Sequence, residues 1–341
     1  MTTAPPTSAP ATSSTPTVSR PRRRSVLRGH GFQFAVLVPT LGVCFCAIYG
    51  FIGYSARVSV SRWQGLLPDL RPADPPYGVY TRMLATPRFQ ADLRNIVIFT
   101  VLFLALAVAV GLGLALLVHN TLVARGFFRS VFLLPYALSF IVTGVVWRWI
   151  FTPSTGANLL LSAVGIRPGP GWITDPTVAG NLTPALEKVI PGSDVIQVQL
   201  GIPLAVIPVV IAAAWQLGGF AMANFLAALG TVPPELREAA SIDGAGAFQY
   251  YRRIVLPWLR PMIVVVLVLL GHVALKCFDL VYAMVGTGPG FATDVPGLFV
   301  FDQTFRAGKY NTGAAASMVM LIAVTAVVLP YLYRSYVKEQ R

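Results

Sequence analysis

Long apolar runs separated by polar segments dominate the hydrophobic pattern of this 341-residue chain. A helix needs about 20 apolar residues to cross the hydrocarbon core of a bilayer, and six segments reach that length. We predict spans at residues 32–56, 96–118, 130–151, 201–230, 257–281 and 313–333. The pattern therefore predicts an all-α membrane protein with six transmembrane helices.

The first residues of the chain follow a different pattern. Residues 1–29 are rich in Thr, Ser, Pro and Ala and end in the basic stretch RPRRRSVLR. Such a segment buries too little apolar surface to fold by itself. We therefore predict a disordered basic tail at residues 1–29 and a transmembrane domain at residues 30–341.

The basic residues decide how the spans are oriented. Six spans place both termini on one side, and Lys and Arg concentrate in the cytoplasmic segments of membrane proteins. The basic stretch directly before the first span therefore predicts cytoplasmic termini. The external loops are then residues 57–95, 152–200 and 282–312, and residues 231–256 form a cytoplasmic loop.

Composition excludes several other classes of protein. Only 11% of the residues are charged, against about 25% in soluble domains. The net charge of +13 fits the cytoplasmic excess of basic residues in a membrane protein better than nucleic-acid binding. The sequence has no phosphate-binding loop, and its three histidines lie far apart. We predict no catalytic residue, metal site or cofactor in this chain; if ATP and Mg are used, a partner chain binds them.

The cytoplasmic loop has the pattern of two short helices joined by a tight turn. Pro233, Pro234 and Glu235 suit a helix start, because proline fits the first turn and an acid favours the positive end of the helix dipole. Gly244 and Gly246 then permit a sharp turn. A second helix follows at about residues 247–255. Local chemistry leaves an ordinary connector as the alternative.

Several motifs in this loop carry a family resemblance. Glu238-Ala-Ala, Asp243-Gly-Ala, the run Ile254 to Pro257, and Pro261 resemble the EAA loop of permease subunits of binding-protein-dependent ATP-binding-cassette (ABC) importers. The resemblance implies the type I importer permease fold and a coupling helix that docks on a cytoplasmic ATPase. The residues that it assigns to ATPase coupling are Glu235, Glu238, Ala239, Ala240, Asp243, Gly244, Ala245, Tyr250, Leu256 and Pro257.

The resemblance extends over about residues 32–336. RNIVIFT and FRSVFLLPYALS resemble the family's second and third spans. The run FDLVYAMVGTGPGFATDVPGLFVFDQTF, followed by GAAAS, is similar to the carbohydrate branch, which includes the maltose, trehalose and glycerol-phosphate permeases. That branch implies a sugar or polyol substrate, a second permease subunit in a heterodimer, a dimeric ATPase, an external substrate-binding protein and a bacterial cell membrane. The external loop at residues 152–200 looks longer than in many members, and QLGGF lacks a proline often found there.

Polar and aromatic side chains within the spans are the candidates for a substrate pathway, since such groups face a cavity or each other. We select Trp215, Gln216, Gly218, Gly219, Phe220, Asn224, His272, Lys276 and Asp279. The aromatic rings would stack on a sugar, the amides would bind its hydroxyl groups, and the two glycines would leave room for its ring. The alternative is that the aromatics and glycines only pack helices together.

Two charged residues of the fifth span have an alternative role of their own. Lys276 and Asp279 are three residues apart, so that on one helix they share a face and can neutralise each other.

Two other functions stay open on sequence alone. One is an ABC permease for another small solute, such as an amino acid or a phosphate ester. The other is a secondary transporter driven by protons through His272, Lys276 and Asp279. A membrane-embedded enzyme is disfavoured, because no set of catalytic side chains converges.

Overall fold

The computed structural model describes residues 26–120, 125–166, 169–180 and 197–339. Most of the predicted tail, residues 1–25, lies outside these ranges, and Val26 already begins the first helix. The chain divides into two compact units, residues 1–53 and residues 54–341. In the first unit the described residues are helical, and their apolar side chains from Leu37 onward are almost all exposed. Such a surface suits a helix surrounded by lipid.

Helices form nearly all the regular structure of the described residues. The long ones are α1 (Val26–Ser59), α3 (Pro87–Asn120), α7 (Val206–Leu229), α10 (Leu256–Leu275) and α13 (Tyr310–Glu339). The short ones are α2 (Gly78–Leu84), α4 (Arg125–Leu133), α5 (Phe140–Phe151), α6 (Ala157–Ala163), α8 (Pro234–Ile242), α9 (Ala247–Tyr250), α11 (Asp279–Met284) and α12 (Pro296–Phe301). Two-residue strands β1 (Val178–Ala179) and β2 (Ile202–Pro203) pair antiparallel.

Five helical segments of the described chain are long and apolar enough to span a membrane, and a bent pair makes the sixth. In the bent pair, α4 and a 3₁₀ turn at Leu134–Ala137 meet α5 at 96°. Pro135 cannot continue the hydrogen bonding of α4, and Leu138 and Ser139 are extended. The Ser139 side chain then accepts the Ile141 amide and caps α5. The predicted third span therefore contains a break at its centre.

The core of the second unit is the contact between α3 and α7. Phe99 and Phe103 of α3 and Met222 and Phe225 of α7 are fully or almost fully buried. Small residues bring the two backbones together, as is common between helices in membranes. A Cβ atom added at Gly111 would lie 2.5 Å from the Ala221 Cβ and 3.0 Å from the Met222 amide nitrogen.

A second apolar cluster joins the external segments of the same unit. Phe89 at the start of α3 packs on Phe299 of α12, with a ring-centroid distance of 5.0 Å. Asn311 at the start of α13 donates its Nδ2 to the Ser61 carbonyl at 3.0 Å. The predicted external loops 57–95 and 282–312 are therefore parts of one packed structure.

The tight approach at Gly111 leads to a matched pair of substitutions. Gly111→Ala should lower the free energy of unfolding by about 1–3 kcal/mol, because overpacking a close helix contact forces the backbones apart. Gly113→Ala, two residues away on the same helix, should be neutral or stabilising, since no atom lies within 4 Å of its added Cβ. Thermal unfolding of both purified variants in detergent measures the difference. Equal stability of the two would contradict this packing.

Candidate functional site: a cytoplasmic loop and a broken span

The cytoplasmic loop turns sharply at Gly244. Helix α8 ends there in a Schellman motif, in which the Ala245 amide donates to the Ala240 carbonyl at 2.9 Å and the Gly244 amide to the Ser241 carbonyl at 3.2 Å. Gly244 has φ = +71°, a conformation that costs other residues a steric penalty. The turn predicted at Gly244 is present, and glycine adopts this positive φ without a steric penalty.

The second half of the loop continues directly into the fifth span. A π-helical turn at Tyr251–Val255 joins α9 to α10, so that residues Ala247–Leu275 form one continuous helical segment. Pro257 follows that turn and has no amide hydrogen to bond backwards. The sequence predicted a separate short helix before the span; the π turn makes the two a single element. The second half of the loop is therefore part of the same helical segment as the fifth span.

A side-chain hydrogen bond ties this element to the cytoplasmic end of α3. The Tyr251 hydroxyl donates to the Asn120 Oδ1 at 2.7 Å. The Trp258 Nε1 also donates to the Thr231 Oγ1 at 3.2 Å, across the loop. The loop is therefore anchored at its base.

The outer surface of the loop combines charged groups of both signs with apolar groups. Ile242 is 85% exposed and Phe248 is 75% exposed, one on each side of Gly244. Sequence reasoning missed both, although an apolar residue in a polar loop is itself a signal. Of the ten coupling candidates, Glu235, Glu238, Ala239, Asp243, Gly244 and Leu256 are exposed, Ala245, Tyr250 and Pro257 are half-buried, and Ala240 is buried.

A second candidate region lies where α7 passes the break in the third span. The Gln216 Nε2 donates to the Leu138 carbonyl at 2.8 Å, and this carbonyl lies at the bend. Phe220, one turn further, stacks on Tyr136 with ring centroids 5.3 Å apart. Asn224 donates to the Phe220 carbonyl of its own helix. Non-helical backbone at membrane depth is tolerated where protein buries it or where it borders a water-filled cavity. Sequence reasoning missed Tyr136 and Leu138.

The two glycines of α7 pack against other helices. A Cβ atom at Gly219 would overlap the Phe132 carbonyl of α4, and one at Gly218 would lie 3.3 Å from the Val110 Cγ1 of α3. This corrects the expectation that they leave room for a sugar ring, because neighbouring helices fill that space. Their geometry matches the packing alternative instead.

The two predicted stacking rings lie in different environments. Trp215 is 43% exposed and meets Trp147 of α5 edge to face at 5.7 Å, whereas Phe220 lies against the bend. The positions are five apart, which separates them by roughly 140° around a helix of 3.6 residues per turn. The expectation that both rings face one cavity is therefore corrected.

Three predicted residues of the fifth span do line one cavity. His272, Lys276 and Asp279 border a space of about 170 Å³. Aromatic and apolar side chains of α3, α5 and α7 also line it, namely Phe99, Phe103, Phe140, Ala213 and Leu217, as do the apolar neighbours of the three polar residues.

Lys276 and Asp279 form no ion pair, although both belong to the described residues. Helix α10 ends at Leu275 with Lys276 as its C-cap, and Asp279 begins α11 after a break. The pairing expected from helical spacing therefore fails, because no single helix carries both residues.

The absence of this ion pair can be measured by a double-mutant cycle. Because Lys276 and Asp279 line one cavity without an ion pair, the substitutions Lys276→Met and Asp279→Asn should couple by less than about 1 kcal/mol in the free energy of unfolding. Thermal unfolding of the two single variants and the double variant in detergent gives the coupling energy. A coupling of about 1 kcal/mol or more would show that the two charges interact after all.

Comparisons with known proteins agree with this architecture. Residues 107–341 match the family described as "Binding-protein-dependent transport system inner membrane component". A probable ABC transporter permease of Pyrococcus horikoshii is 32% identical over 89% of this chain and 96% of its own length. The xylose/arabinose import permease of Haloferax volcanii is 32% identical over 89% of each chain.

A solved structure shares the fold. In a bacterial ABC transporter involved in the import of the acidic polysaccharide alginate, one chain superposes with a TM-score of 0.69 and 19% identity, covering 92% of this chain and 97% of that one. The helices described above therefore have the arrangement of an ABC importer permease. The chain belongs to the family of inner-membrane components of binding-protein-dependent transport systems, as a multi-pass permease subunit.

Proposed function

We propose that this permease forms half of the pathway for a sugar or a related polyol, and that a separate cytoplasmic ATPase drives it through residues 234–251. A second permease subunit would complete the pathway. An external substrate-binding protein would deliver the substrate, as the family description implies. ATP and Mg would be bound by the ATPase partner.

One observation carries the coupling part of this proposal: the exposed loop is continuous with a membrane span. A force applied to α9 reaches α10 without an intervening flexible link, because the π turn at Tyr251–Val255 keeps the segment helical. The bond from Tyr251 to Asn120 would pass part of that force to the second span. Small displacements of packed helices of this kind can be amplified into two-state gating.

The surface of the loop suits a protein partner. Ile242 and Phe248 expose large apolar side chains in a region that the topology places in water, and burial of such side chains favours association. The same loop exposes the acids Glu235, Glu238 and Asp243 and the bases Arg237, Arg252 and Arg253, so a partner would need complementary charges of both signs at the rim of its cleft. We propose that this surface is the ATPase contact.

The substrate class rests on relatives and on the side chains near the bend. Relatives with substrate names are a xylose/arabinose permease, a trehalose/maltose permease of Thermococcus litoralis and a glycerol-3-phosphate permease of Agrobacterium fabrum. All three substrate sets are sugars or a polyol ester. Tyr136, which stacks on Phe220 with one face and is 49% exposed, would offer its outer face to the flat apolar side of a sugar ring. Gln216 is buried and holds the bend instead.

The role of Gly244 can be tested by comparing alanine substitutions at Gly244 and at the nearby Gly246. Gly244→Ala should reduce substrate uptake in cells at least severalfold, because alanine resists φ = +71° and distorts the turn. Gly246→Ala should retain uptake, since Gly246 has φ = −68° and open space around it. Uptake of labelled candidate sugars, together with membrane levels of each variant, measures this. Full uptake by Gly244→Ala would show that coupling to the ATPase does not depend on this turn.

The proposed contact at Ile242 predicts that replacing this side chain weakens ATPase binding without unfolding the permease. Ile242→Ser should abolish most copurification of the ATPase while leaving the thermal stability of the permease unchanged, because the side chain is 85% exposed. Leu160→Ser, at a 73%-exposed position in the external loop, serves as the matched control and should keep the ATPase bound. Equal retention by both variants would count against a contact at Ile242.

A further inference from the structure

The external end of α3 carries a buried charge cluster that the proposed transport role does not use. The Arg88 Nε donates to the Asp294 Oδ2 at 2.6 Å, and the Arg88 Nη2 donates to the Asp302 Oδ2 at 2.6 Å. The guanidinium also lies 5.3 Å from the ring centroid of Phe291 and 5.5 Å from that of Phe299. The cluster joins the second span to residues 289–306, which precede the last span.

A third carboxyl group of this cluster has no hydrogen-bond donor. Asp92, one helical turn after Arg88, is completely buried, and neither of its oxygens accepts a hydrogen bond. It lies against Asp294, which is also completely buried. The contact therefore brings together two carboxyl groups out of reach of water.

The neighbouring donors are occupied elsewhere. Asn95 donates its Nδ2 to the carbonyls of Phe291 and Asp294, both at 2.8 Å. Arg94 donates to the Asn95 Oδ1 and to the Gln199 carbonyl. None of these groups reaches the Asp92 carboxyl oxygens.

Three carboxyl groups surround the guanidinium of Arg88, which donates to Asp294 and Asp302 and lies near Asp92. Arg306 approaches Asp302 at 3.1 Å with a side chain that is 60% exposed.

Arg94 acts on Asp92 only through space, because its nitrogens are bonded to Asn95 and to the Gln199 carbonyl. No cation therefore donates a hydrogen bond to Asp92. Two ionised carboxylates offer each other only acceptors, and like charges in contact at a buried site do not both ionise. The Asp92–Asp294 pair therefore keeps one proton in the folded protein.

We propose that Asp92 is a neutral carboxylic acid that donates its proton to Asp294, so that a bound proton holds the second span to the external segment before the last span. Asp294 has acceptor capacity left, because each of its oxygens takes one donor, from Arg88 and from the Val295 amide, and a carboxylate oxygen accepts about two. The ligand is a proton rather than a metal ion, since the described residues contain no group of three or more His, Cys, Asp or Glu that could hold one.

The proton makes this contact sensitive to alkaline pH. Burial raises the pKa of Asp294, while the bonds from Arg88 oppose the shift. The folded pair keeps a proton that the unfolded chain releases above the ordinary carboxyl range near 4. Because the folded state then binds more protons, stability falls as pH rises above that range, until the folded pair also loses its proton.

Asp92→Asn tests the proposal on the full chain in lipid nanodiscs. The amide is neutral at every pH and still offers an N–H donor to Asp294. We expect the unfolding temperature of the wild type to fall as pH is raised from about 6 to about 9, and that of Asp92→Asn to fall much less. Infrared spectra at neutral pH should show the carbonyl stretch of a protonated carboxylic acid in the wild type and its loss in the variant.

Two further variants make the test decisive. Asp69→Asn removes a partly exposed carboxylate that accepts the Arg71 amide, and it should leave both the pH slope and the infrared band unchanged. Asp294→Asn removes an acceptor of Arg88 and should lower the unfolding temperature at every pH. A wild-type spectrum without the band, or a loss at low pH in Asp92→Asn as large as in Asp294→Asn, would overturn the proposal. Neither readout involves transport, so the result is independent of the proposed function.

Discussion

The close contact of α3 with α7 is the interaction on which the rest of the second unit depends. Gly111 lets the backbones approach, and Phe103 and Phe225 fill the space around them. Helix α3 is long and apolar enough to cross a membrane. Its N-terminal end carries Arg88 and Asp92, and its last residue is Asn120, which holds the loop through Tyr251. A single packed helix thus connects the charge cluster, the broken span and the loop proposed to bind the ATPase.

The break in the third span is the second constraint. A bilayer penalises backbone groups without partners, so an interrupted helix survives there only with protein or water around it. Gln216 satisfies the carbonyl of Leu138 from the side of α7, and Ser139 caps the helix that follows. The aromatic pair Tyr136–Phe220 lies at the same place. Proline at position 135 therefore sets the break, and α7 supplies the groups that make it stable.

Much of the fold followed from the sequence, because the bilayer allows few solutions. Apolar runs of spanning length and the basic stretch before the first one suffice for a multi-pass membrane protein, and the motifs of residues 238–261 suffice for its family. The turn at Gly244 was predictable as well, since glycine is the residue that a Schellman motif requires. The residues predicted to contact the ATPase share one short segment, so that their proximity needed no tertiary information.

The substrate pathway and the charge cluster were out of reach of the sequence. Gly218 and Gly219 are equally compatible with a cavity and with a helix contact, and only the position of Phe132 and Val110 decides between them. Lys276 and Asp279 have helical spacing, but the helix ends between them. Asp92 and Asp294 are 202 positions apart in the numbering (294 − 92), and their contact depends on how α3 meets the external segment. The sequence by itself determined which segments cross the membrane, because hydropathy is a property of each segment; the tertiary structure alone decided which polar groups meet, because that depends on packing between segments.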